Sequence, residues 1–420
     1  MMAAKGGEAL KTVRANEIKY VVSAALNTAA GVCGGGTLLQ TFLGEIGLTD
    51  QIYLHATILQ IVTTTATMVF SRAGGDGRTN VLRRCAVLSL PIAALYLLYV
   101  PLCVFPVPTV KAFLAALAVG VVQSLITAAR TVVEFRVPYR AFPLSDYGAV
   151  SAVSGIAGSV TSMGIGALFT RLASAHPYLA LMAWAFPAAA VLTLCGAVLT
   201  LSLKPVEDAR DQVARNRTKI SFRTLIRTPV FYVFLIPNLF RGVTAGVVGV
   251  LAAVALQMGR TAALTTAMVT AASAAGLGAC LIYAVSAKRV PSRIAVFLGS
   301  VLLCLLPALY YAPSGRFLWI YVFVIAGRTF VDYGVPAALI RVVPDEIAGP
   351  FNAWRMVLHT GGSVLGTFLA GHVPIPALLI GAAALQLLSG IVYLTSPVLR
   401  TSRSGPVHRP DPNTGKETSL

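Results

Sequence analysis

Charge is scarce in this chain: only 11% of its 420 residues are charged, and just 15 are acidic, against about 25% charged in an ordinary soluble domain. So little charge excludes the solvated surface that a water-soluble globule of this size needs. Cysteine is also thin. The six cysteines (Cys33, Cys85, Cys103, Cys195, Cys280 and Cys304) are far apart and form no C-x-x-C or Cys/His cluster, so neither a disulfide framework nor a metal site is expected and they read as small packing residues. No phosphate-binding glycine loop, zinc signature or nucleophile elbow occurs. No catalytic residue, cofactor or ATP hydrolysis is therefore expected, and any work must draw on an ion gradient or on the solute's own.

What the chain has in abundance is apolar length. Hydrophobic residues make up 56% of it, in runs near the roughly 20 residues that a helix needs to cross a hydrocarbon core of about 30 Å. The runs predict spans near 20–43, 52–71, 85–105, 112–135, 147–170, 178–202, 230–254, 262–286, 294–312, 317–340, 350–371 and 376–397. Helix is the required form, because lipid offers backbone groups no other partner in an open chain. The fold class is thus an all-α polytopic membrane protein of twelve transmembrane helices.

The net charge of +18 is distributed by loop. Basic residues gather at the N-terminus (Lys5, Lys11, Arg14, Lys19), which has no small-residue cleavage site and is expected to be retained, and in alternate loops thereafter. The opposite loops hold only Lys111, Arg171, Arg260 and Arg316. This asymmetry is the positive-inside pattern, so both termini are expected in the cytoplasm, in the cell membrane. A nucleic-acid binder would instead concentrate its bases on one face, and no nucleic-acid partner is expected. The bilayer itself is a partner, with some attraction to anionic lipid.

The sequence repeats. Arg130, Thr131, Val133, Val137 and Pro138 match Arg328, Thr329, Val331, Val335 and Pro336 at one constant offset, with Glu134 facing Asp332. Pro143, Gly148, Ala152 and Ser162 face Pro344, Gly349, Ala353 and Ser363 at a slightly larger one. Asn27, Gly31, Val32 and Gly35 face Asn238, Gly242, Val243 and Gly246. The expected organisation is an N-terminal segment 1–19, a six-helix half 20–202, a charged linker 203–229, a second six-helix half 230–397 and a disordered tail 398–420.

Parallel six-span halves joined by a charged inner loop resemble the major facilitator superfamily. The loop Gly74-Gly75-Asp76-Gly77-Arg78 through Arg83-Arg84 is similar to that family's glycine, aspartate and basic signature, with Gly77 where the family usually has arginine. Glu134 to Ala141 and Val331-Asp332-Tyr333-Gly334 also faintly resemble segments of the glycoside-pentoside-hexuronide cation symporters. The resemblance implies two pseudo-symmetric bundles rocking about a midplane site, and a gating role for Asp76.

Ionisable groups inside spans cost several kcal/mol unless paired or hydrated. They are His55, Arg130, Glu134, Arg241, Arg328, Asp332, Arg355 and His359. Arg241 lies about ten residues into the seventh span, roughly 15–17 Å deep, where the repeat has Ala30. A charge present in one copy only points to a ligand, the alternative being a structural pair with carbonyls or an acid on a neighbouring helix. Arg130 with Glu134 and Arg328 with Asp332 are spaced to meet on one helix face near the cytoplasmic boundary. They read as local ion pairs or, with Arg355, as a cross-half latch over an inner gate. His55 and His359 can carry protons, though lone histidines more often hydrogen-bond within a bundle. Asn27, Asn238 and Gln123 are candidate solute hydrogen-bonding residues, as are Gln60 and Tyr333, the competing role being helix adhesion.

Four arginines against two acids favour an anionic solute such as a carboxylate or sugar acid. The expectation is a monomeric, proton-coupled secondary transporter of a small anionic organic solute, with Glu134 or Asp332 as proton carrier. A proton-driven exporter of amphipathic compounds is the alternative, but it calls for a midplane acid that the sequence does not place. A cation-coupled sugar symporter and a non-transporting sensor are the remaining readings.

Overall fold

The computed structural model describes residues 2–73, 81–134, 137, 141–142, 144–204, 229–286, 289–340 and 345–400. Among them there is helix and turn but no strand. The first span is Met2–Gly34 continued by Gly36–Glu45, so its helix reaches back through the stretch read as an N-terminal arm. There follow Ile52–Ala73, Val81–Leu97 with Val100–Val104, Thr109–Glu134, Leu144–Ala173 and Tyr178–Leu201. The second set is Pro229–Gly249 with Leu251–Gln257, Ala262–Ser286, Ser292–Leu303 with Ala308–Tyr311, Ser314–Ile340, Asp345–Ala370 and Ile375–Thr395.

By length and composition ten of these are apolar enough to cross a membrane, and the bent seventh makes eleven. The remaining one, the eleventh span Asp345–Ala370, contains Asp345, Glu346, Arg355 and His359. Four spans are interrupted, the third between Leu97 and Val100 just ahead of Pro101. The first breaks at Gly36, whose φ of 53° lies in the left-handed region that glycine adopts without strain. The seventh turns by 52° between Gly249 and Leu251. The ninth breaks before Pro307, which has no N–H to continue the ladder.

The two halves pack alike. The first span lies on the fifth and sixth, the third on the fourth and sixth, and the second on the fourth; the seventh lies on the eleventh and twelfth, the ninth on the tenth and twelfth, and the eighth on the tenth. The halves meet through the second and eleventh spans and through the fifth and eighth, which are equivalent pairs under the repeat. Trp184, Val285, Val110 and Trp319 stand exposed on the outside, as lipid-facing residues do. Large aromatics fill the interior of the first half, where Tyr99 stacks on Phe186 at 4.9 Å and Phe42 meets Phe186 edge-on at 5.4 Å.

The chain termini share one end of the bundle. At the opposite, far end the halves are tied by Gln40 Nε2 donating to the Gly249 carbonyl (2.9 Å), by Thr41 and Thr265 (3.0 Å) and by Tyr53 Oη donating to Gln257 Oε1 (2.7 Å). Ser162 meets Ser273 at 2.7 Å farther along, and Gln60 receives Ser363 and Thr367. The cross-half hydrogen bonds named here lie at the far end and along the middle of the bundle.

Candidate functional site

The site starts from glycines. Gly242 and Gly246 on the seventh span, and Gly362 and Gly366 on the eleventh, leave no room for a Cβ: at each, an added methyl would run into the partner helix's backbone. Four bare backbones in register let the helices touch along that face. The contact brings His359 beside the turn that carries Arg241.

Arg241 is 5% exposed. Its Nη1 donates to Asn238 Oδ1 at 2.8 Å, and its Nη2 to Asp332 Oδ1 on the tenth span at 3.0 Å. Asn238 is buried, and its Nδ2 donates to the Arg355 carbonyl at 2.6 Å, so one amide both ties the seventh span to the eleventh and holds the guanidinium. Asp332 is 49% exposed, and its second oxygen lies 3.5 Å from Arg328 Nε. One carboxylate is thus shared between two arginines, one buried and one facing the opening.

These groups line a small recess, about 250 Å³ with the open solvent at its mouth included and enclosing room for about one water, bordered by Arg241, Thr244, Arg328, Asp332, His359 and Gln386, among others. Thr244 is spent on the Ala382 carbonyl and Gln386 on Ser300. Two nitrogens make no well-formed hydrogen bond: Arg241 Nε is buried, with the Tyr393 hydroxyl close to the guanidinium, and His359 Nδ1 is buried on a ring close to the Asn238 backbone. An unmade hydrogen bond at a buried polar group costs about 1–3 kcal/mol, which a ligand oxygen would remove. The formal charge of the lining is +1, from two arginines and one carboxylate.

The structure brings together Arg241, Asn238, Arg328 and Asp332, with His359. Asp332 pairs with Arg241 on the seventh span as well as with Arg328 on its own, so the reading of Arg241 as partnered by an acid on a neighbouring helix is the one formed here. The tenth helix runs to Ile340, which puts Asp332 about 12 Å from its end at 1.5 Å per residue, within reach of a long arginine side chain. Asn238 turns to Arg241 and Arg355 and is absent from the pocket lining. Its repeat counterpart Asn27 turns into its own half, against Gly196 on the sixth span, with a buried and unpartnered Oδ1.

Gln123 lies within hydrogen-bonding reach of Tyr96. Arg130 Nε is 3.6 Å from Glu134, the arginine nearly buried and the acid open. Arg355 directs Nη2 toward Met356 Sδ at 3.7 Å, and each described ion pair stays within one half, so the latch from Arg355 to Glu134 is not formed in this conformation. His55 is buried beside Gly120, its Nε2 without a partner. Asp76, the linker and most of the tail lie outside the described residues. Thr244, Gln386 and the fully buried Tyr393, which packs on Phe234 at 5.4 Å, were not singled out from the sequence. Gln386 did carry a signal, as a lone amide in an otherwise apolar span.

No protein-family model and no curated protein matches the chain in sequence. Solved structures match its fold along nearly their whole length. The nucleoside transporter NupG superposes with a TM-score of 0.67 at 13% identity, covering 90% of this chain and 99% of that one. A bacterial homologue of the iron transporter ferroportin in an inward-facing state gives 0.67 at 13% identity, covering 90% and 98%. The xylose transporter XylE from E. coli in an inward open conformation gives 0.64 at 11% identity, covering 92% and 96%. The fold of this chain is therefore the major facilitator fold, in a multi-pass membrane protein.

Proposed function

We propose that the protein is a secondary transporter that carries a small anionic organic solute across the cytoplasmic membrane by alternating access. The observation that carries this reading is the pocket at Arg241, where neither Nε of a buried guanidinium nor the neighbouring His359 Nδ1 makes a well-formed hydrogen bond. A buried cation with an unused donor is costly in an empty protein and matches a carboxylate oxygen.

In this reading the termini are cytoplasmic, as the loop charges favour, and the chain acts as a monomer. The ties at the far end favour an inward-open reading of this conformation. Asp332 and Glu134 are the two acids positioned to carry a coupling proton. The exporter of amphipathic compounds gains an acid beside Arg241, but a cationic solute would meet a lining of net positive charge.

The experiment is a thermal-shift screen of the purified protein against carboxylates, sugars and cationic drugs, because a ligand of the native state raises its melting temperature. Stabilisation by carboxylates that disappears in Arg241→Ala supports the reading. Stabilisation by cations or neutral sugars alone overturns it.

A further inference from the structure

We infer that Asp332 is an internal stand-in for the solute, which a monoanion displaces from Arg241 onto Arg328. This rests on the anion-carrier reading above and adds the solute's charge and the route by which occupancy reaches the helices.

The geometry of the guanidinium carries the argument. Nη1 is committed to Asn238, whereas Nε and Nη2 share the side edge that a carboxylate grips with two parallel hydrogen bonds. Asp332 takes only half of that edge: Oδ1 holds Nη2 at 3.0 Å while Nε is buried without a well-formed hydrogen bond, the Tyr393 hydroxyl lying close to the guanidinium. A side chain fixed to the tenth helix makes one bond where a free carboxylate makes two. The displaced Asp332 has somewhere to go, since Arg328 Nε already stands 3.5 Å from Oδ2, one turn away on the same helix.

The charges lining the pocket sum to +1, so one bound negative charge neutralises it. A second would bring a negative charge that the lining does not compensate, and a neutral solute lacks the charge to compete with a carboxylate. Arg355 lies outside the lining, though its charge acts on Arg241, Asp332 and His359. Handing Asp332 to Arg328 also cuts the bond between the seventh and tenth spans. Occupancy is thereby converted into freedom of one helix against another.

The test uses full-length purified protein and two sets of probes matched in size: butyramide, butyrate and succinate, and glucose, gluconate and glucarate. Affinities come from titration calorimetry or melting shifts. In the native protein the monoanion of a set should bind more tightly than its neutral and dianionic partners. Asp332→Asn should tighten the monoanion by about tenfold, roughly 1.4 kcal/mol, and admit the dianion. Arg328→Gln should weaken the monoanion, because Asp332 then keeps Arg241. Combining the two should return affinity to the level of Asp332→Asn alone, a non-additivity that a plain field effect of Arg328 would not give.

Strictly additive effects, or loss of monoanion binding in Asp332→Asn while that variant keeps the native melting temperature, would overturn the stand-in. Should Asp332→Asn fail to fold, the Arg328→Gln arm decides alone, with unchanged monoanion affinity counting against the proposal. If no carboxylate binds the native protein, or Arg241→Ala binds them undiminished, the anion-carrier reading fails, a result distinct from failure of the stand-in.

Discussion

Gly242 lies against the His359 carbonyl so closely that the two helices meet backbone to backbone. Its counterpart under the repeat, Gly31, has open space where a Cβ would stand. The same residue in the same place of the repeat therefore does different things in the two halves: it locks the seventh span to the eleventh, and it leaves the first span unclamped at that point.

Gly242→Ala should accordingly destabilise the folded protein by about 1–3 kcal/mol or more, since a carbonyl cannot rotate away from an added methyl. Gly31→Ala should stay within about 0.5 kcal/mol of the native value or gain slightly from its helix propensity. Melting temperatures of the two purified variants check this, and an equal loss in both would show that the asymmetry has no energetic weight.

Tyr53→Phe removes the hydroxyl that donates to Gln257 across the far end. One such bond is worth about 1 kcal/mol, so the ratio of far-open to far-closed states should rise roughly fivefold. In a cysteine-free background, a cysteine placed at Leu251, buried beside this closure, should label faster from the far side in the Phe variant. An unchanged rate would mean that the tie does not hold the gate.

Arg241→Lys keeps the charge but loses the planar two-donor edge and the bond geometry to Asn238, so anionic solutes should bind it more weakly while it still folds. Arg241→Ala should abolish their binding. If both variants instead lose thermal stability and surface yield together, while residual protein binds normally, the arginine serves the fold alone.

Arg355→Ala tests the latch, because here the Arg355 side chain makes no ion pair with Glu134. If the latch forms in the opposite state, the variant disfavours that state and raises labelling from the terminal side. Labelling that stays at the native level removes the latch.

Much of this was legible in the order of residues. The span read at 262–286 is the helix Ala262–Ser286, and 317–340 is Ser314–Ile340, because span length is set by lipid thickness and helical rise, both local quantities. The pairing of Arg328 with Asp332 was legible for the same reason: four residues along a helix is a fixed displacement. Less visible were the breaks at Gly36 and Val250, since an apolar run reads as continuous whether or not its axis bends.

The sequence by itself determined twelve spans, the repeat, and a short roster of charged residues that had to be accounted for inside lipid. Only the tertiary structure decided that Asp332 serves Arg241 as well as Arg328, that Asn238 holds the guanidinium rather than lining the pocket, and that Gly242 is clamped where Gly31 is not. Each of these depends on how a helix is rotated about its own axis. In lipid no hydrophobic face dictates that rotation; the close fit of backbones, glycines and buried polar groups across the whole bundle does.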